Sequence, residues 1–221
     1  MVESALIPVP TDVPLDAVAF MGCGMQTGAG SILNEFRPRA GASIAVSGTG
    51  AVGLAAIMAA RVAGATTIVA IDIHDSRLQL ATELGATHSI NARSADTLSE
   101  LLRITRNRGI DFILDTTAVP QVLANLAKAL SIRGTLGLVG AAKPDTAAPF
   151  EIGSSLVRGW KFKTIVQGSA VPQDFIPRLV ALWQQGRFPV DKLIKTYKLE
   201  QINKAFEDSA AGLTVKPVIV F

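Results

Sequence analysis

The sequence predicts an α/β fold built on a doubly wound sheet of six parallel strands. From Ser43 onward, short β-branched runs alternate with helical runs of about 10 to 15 residues, a pattern typical of βαβ units with right-handed crossovers. A glycine-rich turn at residues 48–53 follows the first strand, and an acid, Asp72, ends the second. With 49% hydrophobic and 18% charged residues among 221, the chain can bury a large core, which excludes a disordered protein.

The elements of the sheet follow one another along the chain. Gly64 and Gly85 suit the position just after a helix, and Pro120 opens another helix at a position where proline is tolerated. The strands are predicted at residues 43–47, 66–71, 88–90, 111–114, 135–139 and 162–166. The helices are predicted to end at residue 63 and to span residues 76–84, 96–105 and 120–130, with a loop at residues 143–149.

The two ends of the chain do not fit this sheet. Residues 1–39 combine one predicted strand, at residues 5–9, with prolines and a glycine-rich apolar helix. Because the end pieces are too few for a second core, we expect residues 1–39 and 168–221 to be parts of another domain and residues 40–167 to form the sheet domain. The tail is predicted as a helix at residues 172–185, a strand at 194–197, a helix at 200–211 and a strand at 215–220.

Composition and charge exclude several classes of partner. The 21 basic and 18 acidic residues give a net charge of +3, and no basic run is interleaved with aromatic residues, so the sequence predicts no nucleic-acid binding. The charge-poor stretches at residues 17–34 and 40–60 are interrupted by glycines and polar residues and predict no membrane span. The amino terminus lacks the basic start of a secretory signal, and the lone cysteine, Cys23, excludes an intrachain disulfide. We therefore expect a soluble cytoplasmic protein.

Residues 48–53 form the strongest local motif, because a strand precedes them and a helix follows. Gly48 allows the tight turn, Gly50 lets the backbone approach a pyrophosphate, and Gly53 lets the helix pack closely on the strand. The helix amino terminus adds free N–H groups for the phosphates. Asp72 lies 19 residues after Gly53 (72 − 53), where a carboxylate for a ribose is expected. The motif predicts dinucleotide binding; the alternative is a glycine-rich turn with a purely structural duty.

Asp72 also bears on the choice of dinucleotide. A carboxylate accepts hydrogen bonds from the ribose 2′- and 3′-hydroxyls but repels a 2′-phosphate, so the sequence favours NAD over NADP. Arg77 leaves two alternatives open, since a nearby cation could soften that repulsion or could belong to a solvated helix face.

Metal and acid–base chemistry have little support in the residues themselves. A thiolate at Cys23 would be a soft zinc ligand, but one cysteine does not make a site, and the alternative is a buried small hydrophobe. His74 and His88 are 14 residues apart (88 − 74), which matches no common ligand spacing, and we expect them at the surface or at strand ends. No Ser–His–Asp or paired-carboxylate arrangement stands out.

Several motifs occur in a specific order along the chain. They are Gly22-Cys23-Gly24 with Thr27 and Gly28, the turn at residues 48–53, Asp72, Gly85-Ala86-Thr87-His88, Asp111-Phe112 and Gly134-Thr135. In this order they resemble the zinc-containing medium-chain alcohol dehydrogenases, and the aryl- or benzyl-alcohol group in particular, over practically the whole chain. The resemblance implies a Rossmann domain that binds NAD, remnants of a GroES-like catalytic domain at both ends, and hydride transfer between an alcohol and the cofactor.

The resemblance also implies roles for individual residues. In the family the matching cysteine is one of three protein ligands of the catalytic zinc, and a threonine lies against the nicotinamide, which makes Cys23 and Thr27 the candidate catalytic residues. Asp72 matches the ribose acid, and Arg77 matches a basic position at the adenosine ribose. The other implied contacts are Gly50, Ala51 and Val52 at the pyrophosphate, Val139 and Gly140 at the nicotinamide ribose, Ile165, Val166 and Gln167 at the carboxamide, and Lys216 at the pyrophosphate or, alternatively, at the surface.

The sequence departs from the family in one respect. It has no Gly-His-Glu segment, no second ligand cysteine and no four-cysteine structural-zinc lobe. One thiolate cannot hold zinc in a tetrahedral site with three protein ligands. We therefore expect a truncated chain that keeps cofactor binding but lacks most of the catalytic domain and a complete zinc site. The alternative is a catalytically inactive, stand-alone dinucleotide-binding module or subunit.

Strand edges in the predicted fold favour self-association. The strand from Phe162 to Val166, at one edge of the parallel sheet, resembles the family's dimerisation strand. The terminal strands, at residues 5–9 and 215–220, lack most of their natural sheet and leave unpaired edges and apolar surface. We therefore expect a homo-oligomer whose other partner is a small-molecule alcohol or aldehyde.

Overall fold

A parallel sheet forms the frame of the molecule, which a computed structural model describes over residues 6–221. The strands of this sheet are β1 Ser43–Ser47, β2 Thr67–Asp72, β3 His88–Asn91, β4 Ile110–Asp115, β5 Leu130–Leu138 and β6 Lys161–Thr164. Within the described range they form one six-stranded sheet in the order β3-β2-β1-β4-β5-β6, with every neighbouring pair parallel. The predicted doubly wound sheet is confirmed, and β1 and β4 lie side by side where the winding reverses.

Helices cover both faces of the sheet. They are α1 Leu15–Val18, α2 Gln26–Gly30, α3 Ala51–Val62, α4 Asp75–Leu84, α5 Thr97–Ile104, α6 Pro120–Lys128, α7 Ile152–Arg158, α8 Pro172–Gln184 and α9 Ile202–Ala210. π-helical turns, Met21–Met25 and Ser31–Phe36, flank α2 directly, and we call residues 21–36 the π-rich helix. In the part of the chain that the structure describes, no helix has the length and apolar character needed to cross a membrane.

Two apolar cores lie on opposite faces of the sheet because side chains alternate along each strand. On one face, Ile44 and Val46 of β1 pack with α3, α4, the π-rich helix and α8. On the other face, Ala45 packs with Leu101 of α5 and Leu126 of α6. Residues near both ends of the chain therefore share a core with the sheet, which fixes the π-rich helix beside the carboxyl ends of the strands.

A β-bulge lengthens β5 relative to the prediction. The pairing of β4 with β5 passes from Ile110 opposite Leu130 to Phe112 opposite Thr135, so residues 131–134 are accommodated opposite a single residue of β4. Arg133, inside this bulge, has a left-handed φ of 62°. The strand therefore begins five residues before the predicted start (135 − 130).

The segment around β6 also differs from the prediction. Helix α7 was not predicted; the side chain of Glu151 caps its amino terminus, and Gly159 ends it with a left-handed φ of 60°. The edge strand predicted from Phe162 to Val166 is shifted toward the amino terminus, since β6 ends at Thr164. It ends there because its partner β5 ends at Leu138, which pairs with Thr164.

The two ends of the chain behave differently. The predicted strand at residues 5–9 is wrong for residues 6–9, which form no strand; residue 5 lies outside the described residues. Pro8 and Pro10 lack the N–H groups that a strand needs for pairing. At the other end, β7 Ile194–Lys198 and β8 Lys216–Val220 pair in parallel as a two-stranded ribbon, with α9 between them.

Candidate functional site

The glycine-rich turn joins β1 to α3 at the carboxyl edge of the sheet. Gly48 has a left-handed φ of 83°, and its N–H donates to the carbonyl of Ile71 at 2.8 Å. A Cβ on Gly53 would lie 1.9 Å from the carbonyl oxygen of Gly48, so only glycine allows this close packing. At Gly50, by contrast, an added Cβ would meet no atom of the described residues within 4 Å. The turn is tight at both ends and open in the middle.

The amino terminus of α3 faces this open space. Gly50 is the residue before the helix, and no side chain of the described residues caps it. The first N–H groups of a helix have no partner within the helix, and the helix dipole places partial positive charge there. Ala51, Val52 and Gly53 form the first turn of α3. This arrangement can bind an anion such as a phosphate through backbone N–H groups.

Asp72 ends β2 beside the turn and is held by four hydrogen bonds. Its Oδ2 accepts from the backbone N–H of Thr49 at 2.7 Å and from the hydroxyl of Thr49 at 2.8 Å. Its Oδ1 accepts from the N–H groups of Ile73 at 2.7 Å and His74 at 3.0 Å. Burial raises the pKa of Asp72, but these hydrogen bonds outweigh burial and hold the pKa below its ordinary value. The carboxylate is therefore ionised at neutral pH.

A cleft of about 520 Å³ lies over these groups, and we call it the Asp72 cleft. Arg77 of α4 borders it, and the Nε atom of Arg77 is buried without a hydrogen-bond partner among residues 6–221. A Cβ on Gly212 would lie 3.7 Å from Nη2 of Arg77, so the turn after α9 approaches the same cleft. The lining includes Gly48, Gly50, Asp72, Arg77, Val119, Val122 and Leu126.

Asp115, at the end of β4, supports the opposite wall. Its carboxylate is fully buried and accepts hydrogen bonds from Thr117 and from the N–H of Ala118 at 2.8 Å. Burial raises the pKa of Asp115, and the hydrogen bonds offset this only in part. The hydroxyl of Thr116 donates to the carbonyls of Ser47 and Gly48 and so ties this wall to the glycine-rich turn.

Thr27 and Gln167 meet on the other side of α3. The Thr27 hydroxyl donates to Oε1 of Gln167 at 3.3 Å, and the Gln26 amide donates to the same oxygen at 3.1 Å. Gln167, Gly168 and Ser169 all have left-handed φ values, of 50°, 66° and 48°. The π-rich helix and this turn are in close contact, because a Cβ on Gly168 would lie 2.3 Å from the carbonyl oxygen of Gln26.

The remaining predicted contacts lie near the same edge of the sheet, with one exception. The N–H of Val139 donates to the carbonyl of Asp115, which places Val139 and Gly140 just beyond β5. Ile165 is buried just after β6, whereas Val166 is exposed. Lys216 begins β8 and pairs in register with Ile194 in the ribbon, outside the lining of the Asp72 cleft.

Cys23 lies in the first π-helical turn of the π-rich helix. Its thiol is exposed, so the interpretation of Cys23 as a buried small hydrophobe is wrong. The neighbouring Gly24 packs near Val52, which places this turn beside the amino terminus of α3. Among residues 6–221, no group of three histidine, cysteine or acidic side chains is arranged to hold a metal ion. The described residues alone therefore do not fit a catalytic zinc.

Sequence reasoning missed Thr49, Asp115 and Gln26. Gln26 is 3% exposed, and its Oε1 finds no hydrogen-bond partner in the described part of the chain. Its Nε2 donates to the carbonyl of Gly22 at 2.6 Å. The position of Asp115 at the end of a buried strand, at the same edge as Asp72, was the available signal, because carboxyl ends of parallel strands carry ligand sites.

Comparison with known proteins agrees with this architecture. The strand order and the glycine-rich turn define a Rossmann-like α/β domain. The family model described as zinc-binding dehydrogenase matches residues 51–185, and the chain belongs to that family. The predicted resemblance is thereby confirmed.

Relatives of this chain are alcohol dehydrogenases. Geraniol dehydrogenase of Castellaniella defragrans is 37% identical over 219 residues, which are 99% of this chain and 59% of the relative. The crystal structure of benzyl alcohol dehydrogenase from Acinetobacter calcoaceticus superimposes with a TM-score of 0.94 at 43% identity, over 96% of this chain and 59% of that one. An alcohol dehydrogenase zinc-binding domain protein from Burkholderia ambifaria gives 0.94 at 51% identity, over 96% and 57%. The chain thus spans about 60% of the length of the curated relatives it matches.

Proposed function

We propose that this chain binds NAD in the Asp72 cleft as the cofactor-binding part of an alcohol dehydrogenase. The observation that carries the proposal is the open space at Gly50, between the uncapped start of α3 and the ionised Asp72. The pyrophosphate would lie against Gly48, Gly50 and the first turn of α3, at Ala51, Val52 and Gly53. The adenosine ribose would donate its hydroxyls to Asp72. The buried Nε of Arg77, which finds no partner among the described residues, supports a ligand at this end of the cleft.

The nicotinamide end of NAD would extend past α3 toward the π-rich helix. Thr27 would lie against the ring, and its hydrogen bond to Gln167 would fix its side chain. Val139 and Gly140 after β5, with Ile165, Val166 and Gln167 after β6, would supply backbone contacts to the ribose and carboxamide. The assignment of Lys216 to the pyrophosphate has less support, because the ribbon holds Lys216 outside the lining of the cleft.

The proposed cofactor is NAD rather than NADP. Asp72 is ionised and 7% exposed, so a 2′-phosphate would bring a second negative charge against a carboxylate whose solvation is already reduced. The cationic Arg77 lies on the same side of the cleft and would weaken this repulsion without removing it.

The proposed reaction is hydride transfer between an alcohol of the aryl or benzyl type and NAD, which would carry the hydride. Zinc would polarise the alcohol oxygen in such a reaction. We propose that Cys23 is one ligand of an incomplete zinc site, because its thiol is exposed beside α3 and the described residues supply no set of three ligands. We also propose the boundaries 1–39, 40–167 and 168–221 for a part of the catalytic domain, the Rossmann domain and the segment that returns to the catalytic domain, in a cytoplasmic protein.

Self-association through the β6 edge belongs to the same proposal. β6 pairs with β5 on one side, and all four of its residues are exposed. Beside it, α7 exposes the apolar side chains of Ile152, Leu156 and Val157, each more than 80% accessible. Such an edge with adjacent apolar surface is typical of contact with a second copy of the chain.

Calorimetric titration of NAD and NADH into wild type and two alanine variants tests the cofactor proposal. Gly50→Ala should fold like wild type, since its Cβ enters open space, but should weaken binding at least tenfold by occupying the place of the pyrophosphate. Gly22→Ala is the matched control, because its Cβ also meets nothing within 4 Å of the described residues and it lies outside the cleft. Equal NADH affinity in all three proteins would contradict the proposal.

Turnover and zinc content together test whether the zinc site is incomplete. Oxidation of benzyl alcohol with NAD is measured with and without added zinc, and metal content is measured by mass spectrometry. Our proposal of an incomplete zinc site predicts cofactor binding without zinc retention. Turnover with stoichiometric zinc would show that the site is complete and would contradict this part of the proposal, whereas binding without turnover is expected both of an incomplete site and of a stand-alone module.

A further inference from the structure

The Asp72 carboxylate is anchored by a residue that the glycine motif leaves unspecified. Thr49 stands between Gly48 and Gly50 and makes two of the four hydrogen bonds to Asp72, both to Oδ2. We propose that the Thr49 hydroxyl is a positioning group that orients Asp72 for the ribose of the nucleotide. This inference rests on the proposed function, since it assumes that Asp72 receives the ribose.

Thr49 and the cleft lie on different sides of Asp72. Thr49 has no accessible surface and is absent from the lining of the cleft, whereas Gly48, Gly50 and Asp72 all line it. The Thr49 hydroxyl therefore reaches the carboxylate from the protein side, and a ribose would reach it from the cleft side. The two do not compete for the same approach, so the threonine supports the ribose contact rather than replacing it.

The hydroxyl adds a second donor to Oδ2, beside the backbone N–H of Thr49. Ile73 and His74 fix Oδ1 through N–H groups of the next two residues, a local turn that any sequence could make. Among residues 6–221, the hydrogen bonds to Oδ2 come from Thr49, whose contact spans 23 positions of the chain and ties β2 to the glycine-rich turn. A carboxylate held in one orientation before binding loses less conformational entropy when the ligand arrives, which increases affinity.

The contact between Thr49 and Asp72 joins the proposed phosphate-binding turn to the proposed acceptor for the ribose. The peptide from Gly48 to Gly50 forms the phosphate cradle, and its central side chain fixes the acceptor for the sugar. A threonine or serine at this position is therefore expected to favour ribose recognition, whereas an apolar residue of equal size would leave the phosphate contacts intact and weaken the sugar contact.

A comparison of two ligands across three proteins tests the proposal. ADP and 2′,3′-dideoxy-ADP are titrated calorimetrically into wild type, Thr49→Val and Thr49→Ser. Valine keeps the shape and the backbone N–H donor but removes the hydroxyl, and serine restores the hydroxyl. We expect Thr49→Val to bind ADP roughly tenfold more weakly, as loss of a hydrogen bond to a charged group implies, and to bind dideoxy-ADP as wild type does. Thr49→Ser should retain the affinity of wild type for ADP.

Each other outcome contradicts a stated claim. If Thr49→Val weakens both ligands equally, the hydroxyl has a general structural role and the inference is wrong. Tighter binding of ADP by Thr49→Val would also overturn it, because the hydroxyl would then compete with the ribose. If wild type binds the two ligands equally, or binds neither, the proposed ribose contact of Asp72 itself fails. Thr49→Ala repeats the removal of the hydroxyl if valine prevents folding.

Discussion

Strands β1 and β2 and the edge strand β6 differ in how much of their surface the chain buries. In β1 and β2, every residue after the first is buried, and the strands end at the Asp72 cleft. In β6 all four residues are exposed, and α7 beside it has no buried residue within the described range. This difference underlies our two proposals, a cofactor at the ends of β1 and β2 and a second copy of the chain at the β6 edge.

Two carboxylates at the ligand edge show a second contrast. Asp72 and Asp115 both end parallel strands and are both buried, yet the pKa of Asp72 is lowered and that of Asp115 is raised. In both, burial raises the pKa, but only at Asp72 do the hydrogen bonds outweigh it. Asp72 is held as a charged acceptor that faces the cleft, whereas Asp115 holds the loop after β4 in place.

The largest effect on stability and on nucleotide binding is expected at Gly53, where α3 packs most closely on the glycine-rich turn. In Gly53→Ala the new Cβ would lie 1.9 Å from the carbonyl oxygen of Gly48, so β1 and α3 must move apart. We expect the free energy of unfolding to fall by about 3 kcal/mol and nucleotide binding to be lost. Thermal denaturation and calorimetry measure both. Gly22→Ala, whose Cβ meets open space, should change neither; an unaltered melting temperature in Gly53→Ala would contradict the packing argument.

The ligand side of the sheet was largely predictable because its signals are local. A strand, three glycines and an acid at a fixed spacing determine β1, the turn and Asp72, and the bounds of β1 match the prediction. Thr49, Asp115 and Gln26 were missed because their roles depend on contacts across the fold, such as that of Gln26 with Gln167, 141 positions away. No periodicity in the sequence encodes such a contact.

The β6 side was less predictable for a physical reason. Helix α7 has only seven residues, Ile152–Arg158, which is too short for the repeated apolar spacing by which helices are recognised in a sequence. Gly159, just after the helix, was the remaining signal. The early start of β5 depends on a bulge opposite β4, which follows from pairing between strands rather than from the residues of β5 alone.

After Gly53→Ala, removal of the charge at Asp72 should have the next largest effect on nucleotide binding. Asp72→Asn keeps the size of the side chain but places an amide donor where Thr49 also donates. We expect NADH affinity to fall by about tenfold to a hundredfold, and the preference for NADH over NADPH to decrease. Asp115→Asn is the control: it should lower the melting temperature but leave the NADH to NADPH ratio unchanged. An unchanged ratio in Asp72→Asn would exclude Asp72 as the source of the preference.

A substitution on α7, beside the β6 edge, should weaken self-association without destabilising the fold. Leu156 is 84% exposed on α7, so Leu156→Glu removes apolar surface without disturbing either core. We expect light scattering to show a smaller assembly, with the melting temperature of the isolated chain and the NADH affinity little changed. Leu15→Glu, at another exposed leucine, is the control and should keep the assembly of wild type. A monomeric wild type at high concentration would contradict the proposed interface.

The smallest effect is expected at Asp208 beside the ribbon, which lies outside the lining of the Asp72 cleft. Asp208 of α9 accepts hydrogen bonds from Tyr197 at 2.7 Å and from Lys195 at 3.0 Å. The hydrogen bond from Tyr197 and the nearby lysines lower the pKa of Asp208 to about 2. Because the folded pKa lies below the unfolded value of about 3.9, ionised Asp208 stabilises the fold above that value, and this contribution is lost as the pH falls to about 2.

Asp208→Asn should therefore lower the melting temperature at pH 7, and its difference from wild type should shrink between about pH 4 and pH 2, where wild type itself loses the contribution. Glu207→Gln, at the exposed neighbouring acid on α9, should follow wild type over the whole range. Thermal denaturation in a pH series measures the difference. A difference that persists undiminished at pH 2 would mean that the Asp208 cluster acts through the shape of the side chain and not through its charge, and that the ribbon, unlike the Asp72 cleft, does not depend on an ionised carboxylate.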